Sequence, residues 1–296
     1  MGLMRFGQMR FGLSVYDVSA REVTELAVAA EAAGFDTLWL GEHLLRPVDY
    51  RTVHPTREPE QEIAARIVGP QTRLTDPLVA LAAAAGRTRR LQLATGIFVL
   101  PLRHPLAVAR ATLTLQELAD GRLLFGAGLG WLREEFEALG VPFADRAARF
   151  EEGLDILRKA WSGGVFEHHG RVYDFGPVEL TAEPARIPLV LGGNTAPALR
   201  RAVLRGDGWF ASGTPSPAEA VDLMARLDAA QAAAGRAVPL TTYVRASPAA
   251  DITRYANAGF SQVVFWAHEL CPPGPSRWDR LAATAAELGV TEGARP

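Results

Sequence analysis

The chain has 296 residues, 48% of them hydrophobic, with 31 Lys and Arg against 33 Asp and Glu for a formal net charge of -2. Balanced charge gives no basic face for nucleic acid, and a single Cys excludes an intramolecular disulfide framework and a Cys-cluster metal site. No apolar run approaches the ~20 residues that span a bilayer, and charges and glycines interrupt the N-terminus where a signal peptide would be apolar, so a cytoplasmic protein is expected.

The tetrapeptide Met-Arg-Phe-Gly occurs twice, at Met4–Gly7 and Met9–Gly12. The second copy leads into a strand-like run, so the first eight residues read as a loose extension. From there, short apolar runs alternate with amphipathic ones. Arg10–Val15 predicts a strand and Arg21–Ala33 a helix, with Gly34 as its C-cap glycine. Asp36–Leu40 is the second strand, and the long irregular stretch Gly41–Thr75 follows it. Pro77 and Pro105 sit in the first turns of helices over Asp76–Arg87 and Pro105–Ala119, which flank a strand at Leu91–Ile97. Asp120-Gly121 turns into a strand over Arg122–Gly126, a helix follows at Ala144–Trp161, and Val165–Phe175 reads as a surface hairpin turned at His169-Gly170. Strands at Pro188–Leu191, Gly208–Ala211, Leu240–Arg245 and Ser261–Trp266 alternate with helices at Pro197–Arg205, Pro217–Ala234, Pro248–Ala258 and Ser276–Leu288. Strands apolar on both faces, such as IPLVL and SQVVFW, belong to a parallel sheet covered by helices. Eight such units predict a single-domain (β/α)8 TIM barrel, with an open doubly wound sheet as the alternative.

A barrel of this kind places its active site at the C-terminal strand ends. Those ends carry Gly41-Glu42-His43, Thr95-Gly96-Ile97, the run Gly126-Ala127-Gly128-Leu129-Gly130-Trp131, and Gly192-Gly193-Asn194-Thr195. Two neighbouring glycine-rich strand ends before helices suggest close backbone approach to a phosphorylated cofactor. Neither run is a dinucleotide fingerprint or a P-loop. His43 is the candidate acid–base group, with ring binding as its competing role. Glu42 is a second acid or the group that orients His43. Tyr16, Trp266 and His268 stand at the first and eighth strand ends and are candidate pocket residues. His104 reads as a helix cap, His168 and His169 as solvated hairpin residues, Trp39 as core, and Glu134, Glu135 and Glu137 as acids favoured by a helix dipole. No His/Asp/Glu spacing forms a metal site.

The segments GFDTLWLGEH (Gly34–His43), LATGIFVLPLRHPLAVAR (Leu93–Arg110), DGRLLFGAGLGWLREEFEALGVPF (Asp120–Phe143) and IPLVLGGNTAPALRRAVLRGDGWF (Ile187–Phe210) resemble the bacterial luciferase-like family, and most closely its coenzyme F420-dependent oxidoreductases. The resemblance implies a deazaflavin, or alternatively FMN, lying across the barrel mouth. It implies a non-proline cis peptide at Gly96-Ile97 behind the ring, the two glycine-rich loops on the phosphate or ribityl chain, and Glu42 with His43 beside the reactive face. A homodimer is expected, and the FMN alternative would add a separate flavin reductase as partner. The chain departs from the family's sugar-phosphate branch at Leu129, where that branch has Glu, and at Pro47, where it has Trp, so a sugar phosphate is not the expected substrate. Gln116 stands where relatives have Asp. The activity implied is hydride transfer between the deazaflavin and a small organic substrate. A reduced-FMN monooxygenase, a non-catalytic flavin-binding protein and a barrel glycosidase are the rivals. Within Gly41–Thr75 the arginines, Arg51 and Arg57 above all, are expected to close over the mouth and read an anionic cofactor tail or substrate.

Overall fold

The computed structural model describes residues 9–49, 51–52 and 68–290. The N-terminal extension expected over residues 1–8 therefore lies outside the described residues, as does Arg57.

Eight parallel strands close a barrel, each hydrogen-bonded to the next: β1 (Arg10–Val15), β2 (Thr37–Leu40), β3 (Gln92–Thr95), β5 (Leu123–Gly128), β8 (Leu189–Gly192), β9 (Gly208–Phe210), β10 (Thr241–Arg245) and β11 (Gln262–Trp266), which pairs back onto β1. β4 (Phe98–Val99) is a short continuation of β3 that pairs with β5 beyond the bulge at residues 96–97. The Gly96-Ile97 peptide is cis. The strand expected over Leu91–Ile97 is thus split at that bond, and β5 runs two residues further than Gly126. β6 (Val165–His169) and β7 (Asp174–Glu179) form the expected antiparallel hairpin, outside the barrel.

Strand side chains alternate between the barrel interior and the surrounding helices. Leu13, Leu38 and Leu93 face the helices and join a large outer core with Leu26, Leu81 and Leu113. Trp39, Ala94, Leu124, Val190, Phe210, Tyr243 and Val264 fill the interior, so the barrel is a packed plug with its chemistry confined to the mouth. Trp39 is a core residue, as expected, with its Nε1 donating to Thr37 Oγ1 at 2.8 Å. The helices begin where the sequence supplies caps. Ser19 and Ser216 each close a capping box with the Glu three residues on, and Asp76 and His104 accept N–H groups of the helices at Pro77–Ala85 and Pro105–Leu118.

Two buried polar hubs lock the barrel between β3, β5 and β8. Arg122 donates to Thr88 Oγ1 and to the carbonyls of Leu91, Ala85 and Thr88. Gln116 accepts the Leu123 N–H at 2.9 Å and donates to Arg186 O at 3.1 Å. The amide thus bridges a helix to two strand entries, a job that needs a donor and an acceptor together.

Candidate functional site

His43 lies three residues past the end of β2, 8% exposed, with its ring edge-on to Tyr16 and Trp131 at centroid distances of 6.3 and 5.6 Å. Its Nδ1 is 3.0 Å from Glu135 Oε2. Glu135 is 1% exposed, and its other oxygen accepts the N–H groups of Leu44 and Leu45. A carboxylate on Nδ1 fixes the imidazole with its proton there and leaves Nε2 as an acceptor. Nε2 has no partner among the described residues.

Glu135 corrects the reading of the acids at the start of the Arg133–Ala138 helix. They do more than offset a helix dipole. Glu134, next to it, accepts the N–H groups of Arg51 and Thr52 at 2.7 and 3.1 Å and the Thr52 hydroxyl at 2.6 Å. Consecutive carboxylates thereby clamp two points of the segment leaving β2. Burial would raise the Glu134 carboxyl, but these donors outweigh it and hold it below its ordinary value.

Glu42 does not orient His43. Its neighbour's side chain departs in another direction, and Glu42 is buried with one oxygen accepting the Val99 N–H at 2.7 Å and the other 2.5 Å from Arg103 Nη2. That ion pair is poorly angled for a hydrogen bond, and the same nitrogen also lies 3.7 Å from Asp76 Oδ2. Burial pushes the Glu42 carboxyl up, with the Arg103 charge and the Val99 N–H opposing it. Its place is a brace beneath the segment after the cis bond.

The glycines at the strand ends meet protein rather than open space. Gly126 is buried inside β5, and a Cβ there would fall 1.9 Å from Thr95 O. The Thr95 hydroxyl is spent on Gly126 O at 2.7 Å, so neither residue is free for a cofactor. Gly128 and Gly192 would each place a Cβ within 3.2 Å of Ile97, and Gly130, at φ +78°, within 2.6 Å of Val99. These glycines let the bulge and the chain after it sit between β5 and β8. Gly193, at φ +119°, packs on Ala198, and its carbonyl accepts Trp209 Nε1 at 2.8 Å. Asn194 exchanges two hydrogen bonds with the Ser212 backbone, which ties the loops after β8 and β9 together. Thr195 begins the Ala196–Arg205 helix without a side-chain cap, which leaves that exposed helix start as the part of the expected phosphate cradle still open.

Ile97 is half-buried at the mouth, beneath which Gly96 is sealed. Tyr16, Gly41, His43 and Arg73–Thr75 line a cleft with about 190 Å³ of empty volume. That space is largely open to solvent, so these residues form a shallow rim and not an enclosed ligand cavity. Arg51 is exposed at the loop root clamped by Glu134. Trp266 ends β11 at the mouth, and His268 is exposed on the short helix beyond it, with the two rings 5.9 Å apart. His104 caps its helix as expected. His168 is not solvated: it is 8% exposed and pairs with Glu152 at 3.3 Å, which also holds the Arg171, Val172 and Tyr173 N–H groups. No group of three metal-ligating side chains occurs among the described residues. No helix among them is long and apolar enough to cross a membrane.

A family model described as luciferase-like monooxygenase matches residues 4–256. An uncharacterized protein of Mycobacterium tuberculosis is 31% identical over 287 residues, 94% of this chain and 99% of its own. The F420-dependent tetrahydromethanopterin reductase of Methanopyrus kandleri superposes with a TM-score of 0.70 at 16% identity, covering 95% of this chain and 98% of its own. The oxygenating component of a type II Baeyer–Villiger monooxygenase from Pseudomonas putida, solved with FMN, superposes at 0.64 with 21% identity, covering 80% of this chain and 66% of its own. At those identities the two structures show the shared barrel.

Proposed function

We propose that this chain, which belongs to the luciferase-like monooxygenase family, is an oxidoreductase that binds the deazaflavin F420 in its barrel mouth and moves hydride between it and a small organic substrate. The observation that carries this reading is the His43–Glu135 pair at the barrel mouth, which leaves an imidazole nitrogen with no partner among the described residues. End-to-end coverage with the F420-dependent reductase, against partial coverage of the FMN enzyme, supports the deazaflavin over FMN.

The residues of the mouth fit a flat aromatic ring. Ile97 and Trp131 offer half-buried apolar surface, and His43 an in-plane polar atom. When bound, the cofactor supplies a carbon that accepts or donates hydride. The protein's part is the proton that travels with it. Neutral His43 accepts that proton at Nε2 when substrate is oxidised and returns it when substrate is reduced, while the Glu135 carboxylate stabilises the imidazolium formed in between. Glu42, Arg103 and the Val99 N–H hold the chain beneath the ring's seat, and the exposed start of the Ala196–Arg205 helix offers N–H groups to a phosphate.

Titration of the purified protein with F420 and with FMN, followed by cofactor fluorescence, tests the assignment. Tight F420 binding is expected. FMN binding without F420 binding would overturn it in favour of a reduced-FMN monooxygenase supplied by a separate reductase.

A further inference from the structure

Tyr243 and Arg245 are two residues apart on β10, so their side chains share the inward face of the barrel. Tyr243 belongs to the interior plug with Trp39 and Phe210. Arg245 therefore stands one layer higher, at the floor of the mouth, and is 9% exposed. Its guanidinium is clasped between two rings, 4.7 Å from the Phe210 centroid and 4.6 Å from that of Trp266. Nε donates to Ser14 Oγ at 3.1 Å and Nη2 to Gly96 O, the carbonyl of the cis peptide, at 3.2 Å.

Among the described residues the arginine has no acidic partner. Arg122, the other buried arginine, donates to four neutral acceptors against two for Arg245, and half-buried Arg103 faces the Glu42 carboxylate. Burial alone brings the Arg245 pKa down to about 10, with no neighbouring charge acting on it. Nη1 has no partner among the described residues, yet it is not among the atoms sealed away from solvent without one. A fixed, half-satisfied cation in an aromatic clasp thus stands at the end of β10, bonded to the carbonyl of the cis bulge. Such a charge is costly to keep in a dry interior unless a ligand anion completes it.

We propose that Arg245 is the anion-reading residue of the mouth, holding Nη1 for the negative charge that a flavin-type ring gains on reduction. The inference rests on the reading that such a ring binds here. A hydride carries two electrons and one proton, so the ring that accepts it gains one negative charge until a second proton binds. That charge spreads over the conjugated nitrogen–carbonyl edge, whose oxygen is a strong acceptor for a guanidinium. Arg245 then favours the reduced cofactor over the oxidised one and raises its potential.

The test compares wild type with Arg245→Met and Arg245→Lys. Dissociation constants are measured for oxidised and reduced F420 and FMN, together with the midpoint potential of the bound cofactor. Arg245→Met is expected to weaken the reduced form at least tenfold more than the oxidised form, a fall in potential of about 30 mV for each tenfold in a two-electron couple. Arg245→Lys is expected to recover part of the difference. In wild type, the bound reduced cofactor is expected to remain anionic to a lower pH than the free cofactor, a measurement that decides the matter even if Arg245→Met does not fold. Equal weakening of both forms, or a bound cofactor that titrates like the free one, overturns the inference. So does an unchanged potential with loss of inhibition by benzoate, which would assign Arg245 to a substrate anion. Wild-type protein that binds neither cofactor in either state defeats the functional reading itself, an outcome distinct from binding that is indifferent to Arg245.

Discussion

His43 gives one ring nitrogen to a carboxylate and leaves the other at the mouth, so its two possible roles separate by experiment. As an acid–base group it acts on rate. His43→Ala is then expected to lower turnover by about 10²–10⁴-fold while cofactor affinity changes only a few-fold, read from kcat and from a fluorescence titration. A proportional loss of affinity would make it a ring-binding residue. Glu135 is expected to act through His43. In Glu135→Gln the side-chain oxygen can still accept from Leu44 and Leu45, but the amide that faces Nδ1 is a donor. The imidazole must then carry its proton on Nε2, which removes the acceptor at the mouth. Turnover is expected to fall about 10²-fold or more, and the ¹⁵N shifts of His43 are expected to report the other tautomer. Unchanged shifts with lost activity would mean a structural role for Glu135.

At the scale of the elements, the glycine-rich strand ends are explained by packing around the cis bulge. Gly126→Ala puts a methyl group against the Thr95 carbonyl within the β3–β5 pairing and is expected to cost about 1–3 kcal/mol or more in urea unfolding. Gly121→Ala, at φ +77° with open space around it, carries only the left-handed backbone penalty of roughly 1–2 kcal/mol. Larger loss at Gly121 than at Gly126 would refute the packing account. These elements show what the sequence makes legible. Strands apolar on both faces, prolines in first helical turns and a C-cap glycine at Gly34 are local signals, and they placed all eight barrel strands and their helices. The site was legible only where strand-end position was enough, as for His43. Glu135 is 92 residues from His43, and a carboxylate in a helix's first turn looks the same whether it faces solvent or an imidazole. Arg245 reads as the polar end of a strand, and only closure of the barrel turns it inward against Phe210 and Trp266. His168 reads as a solvated hairpin residue for the same reason, since Glu152 reaches it from another element.

Over the whole molecule, several carboxylates accept backbone N–H groups, Glu22 and Glu219 at their own helix caps and Glu31 and Glu152 between elements, and this sets the response to acid. Glu22, Glu31, Glu152 and Glu219 are all held below the ordinary value of 4.5. The Ser19 N–H leads for Glu22 and the Ser216 hydroxyl for Glu219. For Glu31 and Glu152 burial pushes the other way and is outweighed, on Glu31 by the N–H groups of Leu91, Arg90 and Arg89, and on Glu152 by those of Tyr173 and Val172 with His168. Glu31 links the first helix to the entry of β3, taking the Leu91 N–H at 2.8 Å and the Arg90 N–H at 2.6 Å.

A folded pKa below the unfolded one means that the folded chain binds fewer protons in mild acid, so stability falls as pH falls. The contribution of each carboxylate is fully present above its unfolded pKa, near 4.5, and is lost as pH drops through its lower folded value. Glu31→Gln removes the charge at every pH. Urea unfolding at pH 7 is therefore expected to show wild type more stable than Glu31→Gln, because an ionised acceptor bonds N–H groups more strongly than a neutral amide oxygen. As pH falls below about 4.5 and through the lower folded value, the wild-type carboxyl takes up its proton and becomes a neutral acceptor too, so the gap is expected to narrow steadily. A gap that stays constant from pH 7 to pH 3 would show that Glu31 holds the first helix to β3 by shape and not by charge.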